Sequence, residues 1–119
     1  MACTYLILDG HHEASAATRV TLESVGHRVV SASTETEAVA WLEANSLPCV
    51  ILLDPVSLPT GFTHLLSVLR ARPSWDAIPV IVVSSSEAGY PSIARTFVRK
   101  PARREELLAT ELYCEAHAS

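Results

Sequence analysis

An α/β domain built on a parallel sheet is the fold this sequence predicts, and three observations predict it. Short apolar runs recur along the chain and are separated by segments of helical period. The strongest runs, Cys49–Leu53 and Ile78–Val83, lack the polar alternation of a half-exposed strand. Such continuity marks strands covered on both faces, as in a parallel sheet. Gly26, Pro73 and the Ser84-Ser85-Ser86 run punctuate the pattern, so the order reads βαβαβαβ(α)βα.

Each element has a local reason. Cys3 to Leu8 is a β-prone run that ends on Asp9. Ala14, Ala17, Val20, Thr21 and Val25 carry a helical spacing over 13–25, which stops at Gly26. Arg28 to Ala32 contains Val29-Val30 and predicts a second strand. Thr34 with Glu37 is a capping-box pair opening a helix whose apolar stripe is Ala38, Trp41 and Leu42, ending near Asn45. The run Cys49 to Leu53 again ends on an acid, Asp54. Phe62, Leu65, Leu66 and Leu69 stand at i, i+3, i+4 and i+7, a helix that must stop before Pro73. Ile78 to Val83 is a fourth strand, and Ala88 to Ala94 is a short, weak segment. Thr96 to Val98 is a fifth strand, and Leu107, Leu108 and Leu112 mark a last helix. Trp41 is expected in the core and Trp75 in a packed loop. Arg103-Arg104-Glu105-Glu106 reads as a solvated helix face, and Arg95, Arg99 and Arg103 as a modest basic patch.

Composition narrows the function. The 119 residues suit a single domain spanning 1–119, and 49% apolar residues can build its core. Nine basic against thirteen acidic residues give a charge of −4, which disfavours a sequence-independent nucleic-acid binder. No apolar stretch is long enough to span a bilayer, and the start lacks a basic, signal-like region. Cys3, Cys49 and Cys114 are odd in number and widely spaced. Cys3 and Cys49 are expected to be buried and reduced, so the expected compartment is a reducing cytoplasm.

In an open parallel sheet, ligands bind beyond the carboxyl ends of the strands. That rule selects Asp9-Gly10-His11-His12, Asp54-Pro55, Ser84-Ser85-Ser86 and Lys100-Pro101. Two carboxylates, a hydroxyl and an ammonium from four strand ends would meet in one pocket. Any one of these residues is commonplace as a cap or a solvated charge; the four together are not.

That constellation resembles the receiver domain of bacterial response regulators, from about Tyr5 to Leu112. The matching features are Asp54 after the apolar third strand, Ile78-Pro79-Val80-Ile81-Val82-Val83-Ser84, the Lys100-Pro101 pair and Phe97. The resemblance implies a flavodoxin-like, doubly wound, five-stranded sheet of order 2-1-3-4-5 with helices on both faces, here with a shortened fourth helix. It implies Asp54 as phosphoacceptor, Ser84 and Lys100 in the phosphoryl pocket, and Phe97 as a switch aromatic. It implies Mg²⁺ held by Asp9, Asp54 and the Val56 backbone carbonyl, and a histidine kinase or other signalling protein as partner. It leaves association with a second copy open, and a receiver of this length would carry no output domain.

The sequence also departs from the family. Gly10 stands where the second acid of the pair is expected, which puts the Mg²⁺ site in doubt. The proline and glycine usually found after the phosphoacceptor are displaced, and Pro55 follows Asp54 directly. A helix starting here is expected to carry Glu13 away from the pocket. Three functions stay open: a docking module with weak or absent phosphorylation, an ordinary Mg²⁺-dependent phosphoaccepting receiver, and a metal or small-ligand module using His11, His12, Asp9 and Asp54. No nucleophile elbow, Gly-rich loop or Ser-His-Asp spacing supports turnover chemistry.

Overall fold

A computed structural model describes residues 3–45, 47–57, 62–85, 94, 96–100 and 102–113, the side chains of His12 and Ala14 excepted. Five parallel strands, β1 (Thr4–Leu8), β2 (Arg28–Ala32), β3 (Val50–Leu53), β4 (Val80–Ser84) and β5 (Thr96–Arg99), form one sheet in the order β2-β1-β3-β4-β5. The expected sheet and its strand order are therefore present. Helices α1 (His12–Glu23), α2 (Glu35–Ala44), α3 (Thr63–Ala71), α4 (Pro73–Asp76) and α5 (Arg104–Ala109) accompany it.

The period of two along each strand sorts the core into two halves. Tyr5, Ile7, Val50, Leu52, Ile81, Val83 and Val98 pack on one face with Leu22 of α1 and Leu107 of α5. Leu6, Leu8, Ile51, Leu53 and Val80 pack on the other with Ala38 and Leu42 of α2, Leu65 and Leu69 of α3, and Trp75. Every residue of β3 is buried, which is why that strand is apolar throughout.

Specific polar contacts tie the helices down. Arg19 of α1 donates to the Val29 carbonyl and the Ser31 hydroxyl of β2, at 3.1 and 2.6 Å. The buried Glu35 carboxylate accepts the Leu65 N–H at 2.7 Å, so an acid on α2 satisfies one of the free amides opening α3. Thr34 accepts the Glu37 N–H at 3.1 Å, as the capping pair predicts. The Tyr5 hydroxyl meets Thr110 Oγ1 at 2.7 Å beneath α5.

Several expectations are corrected. Trp75 lies in a short helix rather than a loop, because Pro73 at its first turn restarts the helix that it ended. It is buried, and the Arg72 guanidinium stacks 4.1 Å from its ring centroid. Cys3 is buried but Cys49 only half-buried, since it precedes β3 rather than belonging to it. Helix α1 ends at Glu23, and Gly26 turns the chain at φ +94°. The segment expected to form the shortened helix, 88–94, lies outside the described residues except for residue 94, as do Pro101, Cys114 and Arg95. Among the described residues, no helix is long and apolar enough to cross a membrane.

Candidate functional site

Adjacent strands β1, β3 and β4 bring their carboxyl ends together at one edge, and the pocket begins there. The Asp9 amide donates to the Ala32 carbonyl at 3.1 Å, and the Asp54 amide to the Leu8 carbonyl at 3.0 Å. Sheet pairing thus extends one residue past β1 and β3 and fixes both aspartate backbones. Asp9 continues the alternation of Tyr5 and Ile7, and Asp54 that of Val50 and Leu52, so both belong to the α1/α5 side. The Lys100 amide donates to the Ser84 carbonyl at 2.9 Å and brings the lysine to the same edge.

The three charged side chains converge. Lys100 Nζ donates to Asp9 Oδ2 and to Asp54 Oδ2, each at 2.6 Å. Both carboxylates are 5% exposed and the lysine side chain 16%, so water screens this contact far less than a surface pair. Burial by itself would lower the Lys100 pKa. The hydrogen bonds from Asp54 and Asp9, with their negative charges, outweigh it and hold the ammonium above its ordinary value of 10.5.

Ser57, which no motif singled out, completes the arrangement. Its hydroxyl donates to Asp9 Oδ1 at 2.9 Å, lies 3.2 Å from the Asp54 carbonyl, and accepts the Gly10 N–H at 2.9 Å. The Val56 and Ser57 amides approach Asp54 Oδ1 at 3.0 and 3.4 Å, a turn folded over the carboxylate. Its backbone presses close on the first loop: a Cβ at Gly10 would lie 2.2 Å from the Ser57 carbonyl oxygen. Glycine is required at position 10 by that approach. The only signal for Ser57 in the sequence was its place three residues after Asp54.

A cleft of ≈ 500 Å³ opens beside the pocket, lined by Gly10, His11, Glu13, Asp54, Val56, Ser85 and Lys100. Glu13, expected to turn away, lines this cleft from the first turn of α1. Ser84 is fully buried at the end of β4, and Ser85 is the serine on the cleft wall. Alternation along β4 accounts for this, since Ser85 follows Ile81 and Val83 on the α1/α5 side. Val56 is exposed on the rim. Phe97 is half-buried on β5 and away from the acids, lining a separate groove with Thr110, Leu112 and Tyr113. The His11 side chain is exposed, and Asp9, His11 and Asp54 can bring one ligand atom each within 4.8 Å of one another.

The fold has counterparts among solved structures. The signal receiver domain of a signal transduction histidine kinase from Syntrophus aciditrophicus matches with a TM-score of 0.80 at 20% identity, over 96% of this chain and 91% of that one. A response regulator receiver modulated diguanylate cyclase from Pelobacter carbinolicus matches at 0.77 and 23%, over 97% and 94%. The chain has the fold of a response regulator receiver domain. The response regulator PhyR from Brucella abortus matches at 0.76 and 24%, over 96% of this chain and 48% of that one. No family model matches the chain, and no curated protein does. The receiver fold accounts for the sheet order and for the strand-end position of Asp9, Asp54 and Lys100.

Proposed function

We propose that residues 1–119 form a receiver of two-component signalling that acts by docking onto another protein, with phosphorylation at Asp54 weak or absent. The observation that carries the reading is the meeting of Asp9, Asp54 and Lys100 at the carboxyl edge of a sheet of order 2-1-3-4-5. Asp54 takes the phosphoacceptor position in it, Lys100 the phosphoryl partner, Ser84, the last residue of the fourth strand, the hydroxyl, and Phe97 the aromatic of the fifth. The metal ligands assigned by resemblance are Asp9, Asp54 and the Val56 carbonyl. The partner is a histidine kinase or another signalling protein in the cytoplasm, with pairing to a second copy as a further mode. No turnover chemistry, direct nucleic-acid contact or membrane contact enters the reading.

Two features favour weak phosphorylation. Gly10 supplies no carboxylate where the resemblance expects one. The turn after Asp54, with Pro55 directly following, folds its amides onto Asp54 Oδ1 and leaves Asp54 Oδ2 engaged by Lys100. Phosphoryl transfer forms a bond from a carboxylate oxygen to phosphorus as the donor's leaving oxygen departs, so the donor must compete with the contacts already made to both Asp54 oxygens. An ordinary phosphoaccepting receiver is the second reading, favoured by Asp54 lining the open cleft.

Acetyl phosphate with MgCl₂, followed by intact mass, separates them. Little or no phosphoryl adduct is expected. A stoichiometric adduct that disappears in Asp54→Ala overturns the docking-only reading in favour of the second.

A further inference from the structure

All four carboxylate oxygens of the pocket already have donors. Asp9 Oδ1 accepts from the His11 amide at 2.7 Å and from Ser57 Oγ at 2.9 Å, and Asp9 Oδ2 from Lys100. Asp54 Oδ1 accepts from the Val56 amide at 3.0 Å, with the Ser57 amide at 3.4 Å, and Asp54 Oδ2 from Lys100. Mg²⁺ demands near-octahedral oxygen ligation and binds through carboxylates with free lone pairs. Here the two Oδ2 atoms share one ammonium, and position 10, where the resemblance expects a second acid, is glycine.

Nor can the missing acid be accommodated as the loops stand. The Ser57 carbonyl lies 2.2 Å, and its carbon 3.1 Å, from where a side chain at position 10 would begin. The contact is with backbone, which cannot rotate aside. His11 adds an imidazole within ligand reach, but that is a nitrogen ligand and Mg²⁺ takes oxygen. Lys100 stands against both Oδ2 atoms, so an entering divalent ion would meet an ammonium at close range and have to displace it. The residues present therefore do not fit Mg²⁺.

We infer that the chain's own groups fill the cation seat: Lys100 neutralises the acids, the Ser57 turn closes over Gly10, and the pocket does not respond to Mg²⁺. The inference rests on the receiver reading and gives it a regulation: the conformation is set by Lys100 and the Ser57 turn, so a partner would meet one standing state whatever the Mg²⁺ concentration.

The test is an amide NMR titration of the intact protein with MgCl₂ against NaCl of equal ionic strength, without any phosphodonor. A millimolar site would be about 90% filled at roughly ten times its Kd. The Gly10, His11 and Val56 amides of the wild type are expected to stay put over that range. Lys100→Met, which removes the ammonium but keeps the chain length, is expected to gain a saturable shift at those amides, with Mg²⁺ affinity at least about tenfold higher. Should Lys100→Met fail to give a folded spectrum, Lys100→Gln keeps a donor toward the carboxylates and is judged by the same shift. A saturable response in the wild type, or a folded Lys100 variant as silent as the wild type, overturns the inference. Because no phosphate is present, such a failure leaves the docking reading untouched. A phosphoryl adduct in the mass experiment would strike that reading and not the Mg²⁺ result.

Discussion

Replacing Gly10 with alanine adds one methyl group at the tightest point of the pocket. The new Cβ would sit 2.2 Å from the Ser57 carbonyl oxygen, where a carbon–oxygen contact normally needs about 3.3 Å or more. The turn over Asp54 must therefore retreat by about 1 Å or carry the strain, and overpacking of this kind costs about 1–3 kcal/mol. Retreat breaks the Gly10 N–H bond to Ser57 Oγ and the Ser57 bond to Asp9, both 2.9 Å. The first is worth about 0.5–1.5 kcal/mol and the second, to a charged acceptor, about 1.5–3. Strain and lost bonds are alternatives rather than a sum, so the expected loss is that of the cheaper response, about 1–3 kcal/mol, a fall in Tm on the order of 10 °C. Urea unfolding of the wild type, Gly10→Ala, Ser57→Ala and the double variant measures it. The two single effects are expected to be non-additive, because each disturbs the same turn. A Gly10→Ala protein within about 0.5 kcal/mol of wild type would refute the argument.

Gly26→Ala provides a contrast, since nothing lies within 4 Å of its would-be Cβ but its φ is +94°. It is expected to lose about 1–2 kcal/mol through backbone strain alone, with the Ser57 and Gly10 amide shifts unmoved. Glu35→Ala removes the acceptor of the buried Leu65 N–H and should cost about 1–3 kcal/mol by chemical denaturation; faster amide exchange confined to the first turn of α3 is the local signature. Lys100 yields a pH dependence whose sign follows from its raised pKa. The ammonium's stabilisation is fully present below its ordinary value of 10.5 and is lost as pH rises through the higher folded value. The wild type should therefore lose more stability above about pH 10.5 than Lys100→Met does, measured as denaturant midpoints across the alkaline range.

The sequence made the sheet legible because buried parallel strands leave a strong trace. Val50 to Leu53 are apolar at every position since both faces of β3 are covered, and an acid directly after such a run stands at the carboxyl edge. Asp9, Asp54 and Lys100 could be singled out on that ground. Ser57 could not: a serine in a turn has many uses, and its role depends on the path of the chain between β3 and α3. The direction of Glu13, which lines the cleft, is not legible either, because the helix entry angle decides which way its first turn faces. The place of Ser85 on the cleft wall depends on where β4 ends and on the alternation carried past it, so Ser84 alone drew notice.

By itself the sequence determined the alternation of strands and helices, the apolar continuity of the central strands, and the placement of two acids and a lysine at strand ends. These follow from local periodicity and from the rule that a chain leaving a buried strand turns polar. Only the tertiary structure decided that one ammonium serves both acids, and that Gly10 is needed because a backbone carbonyl from a turn 47 residues away presses against it. Contacts between distant loops depend on ångström-scale separations, and no periodicity in the sequence encodes those.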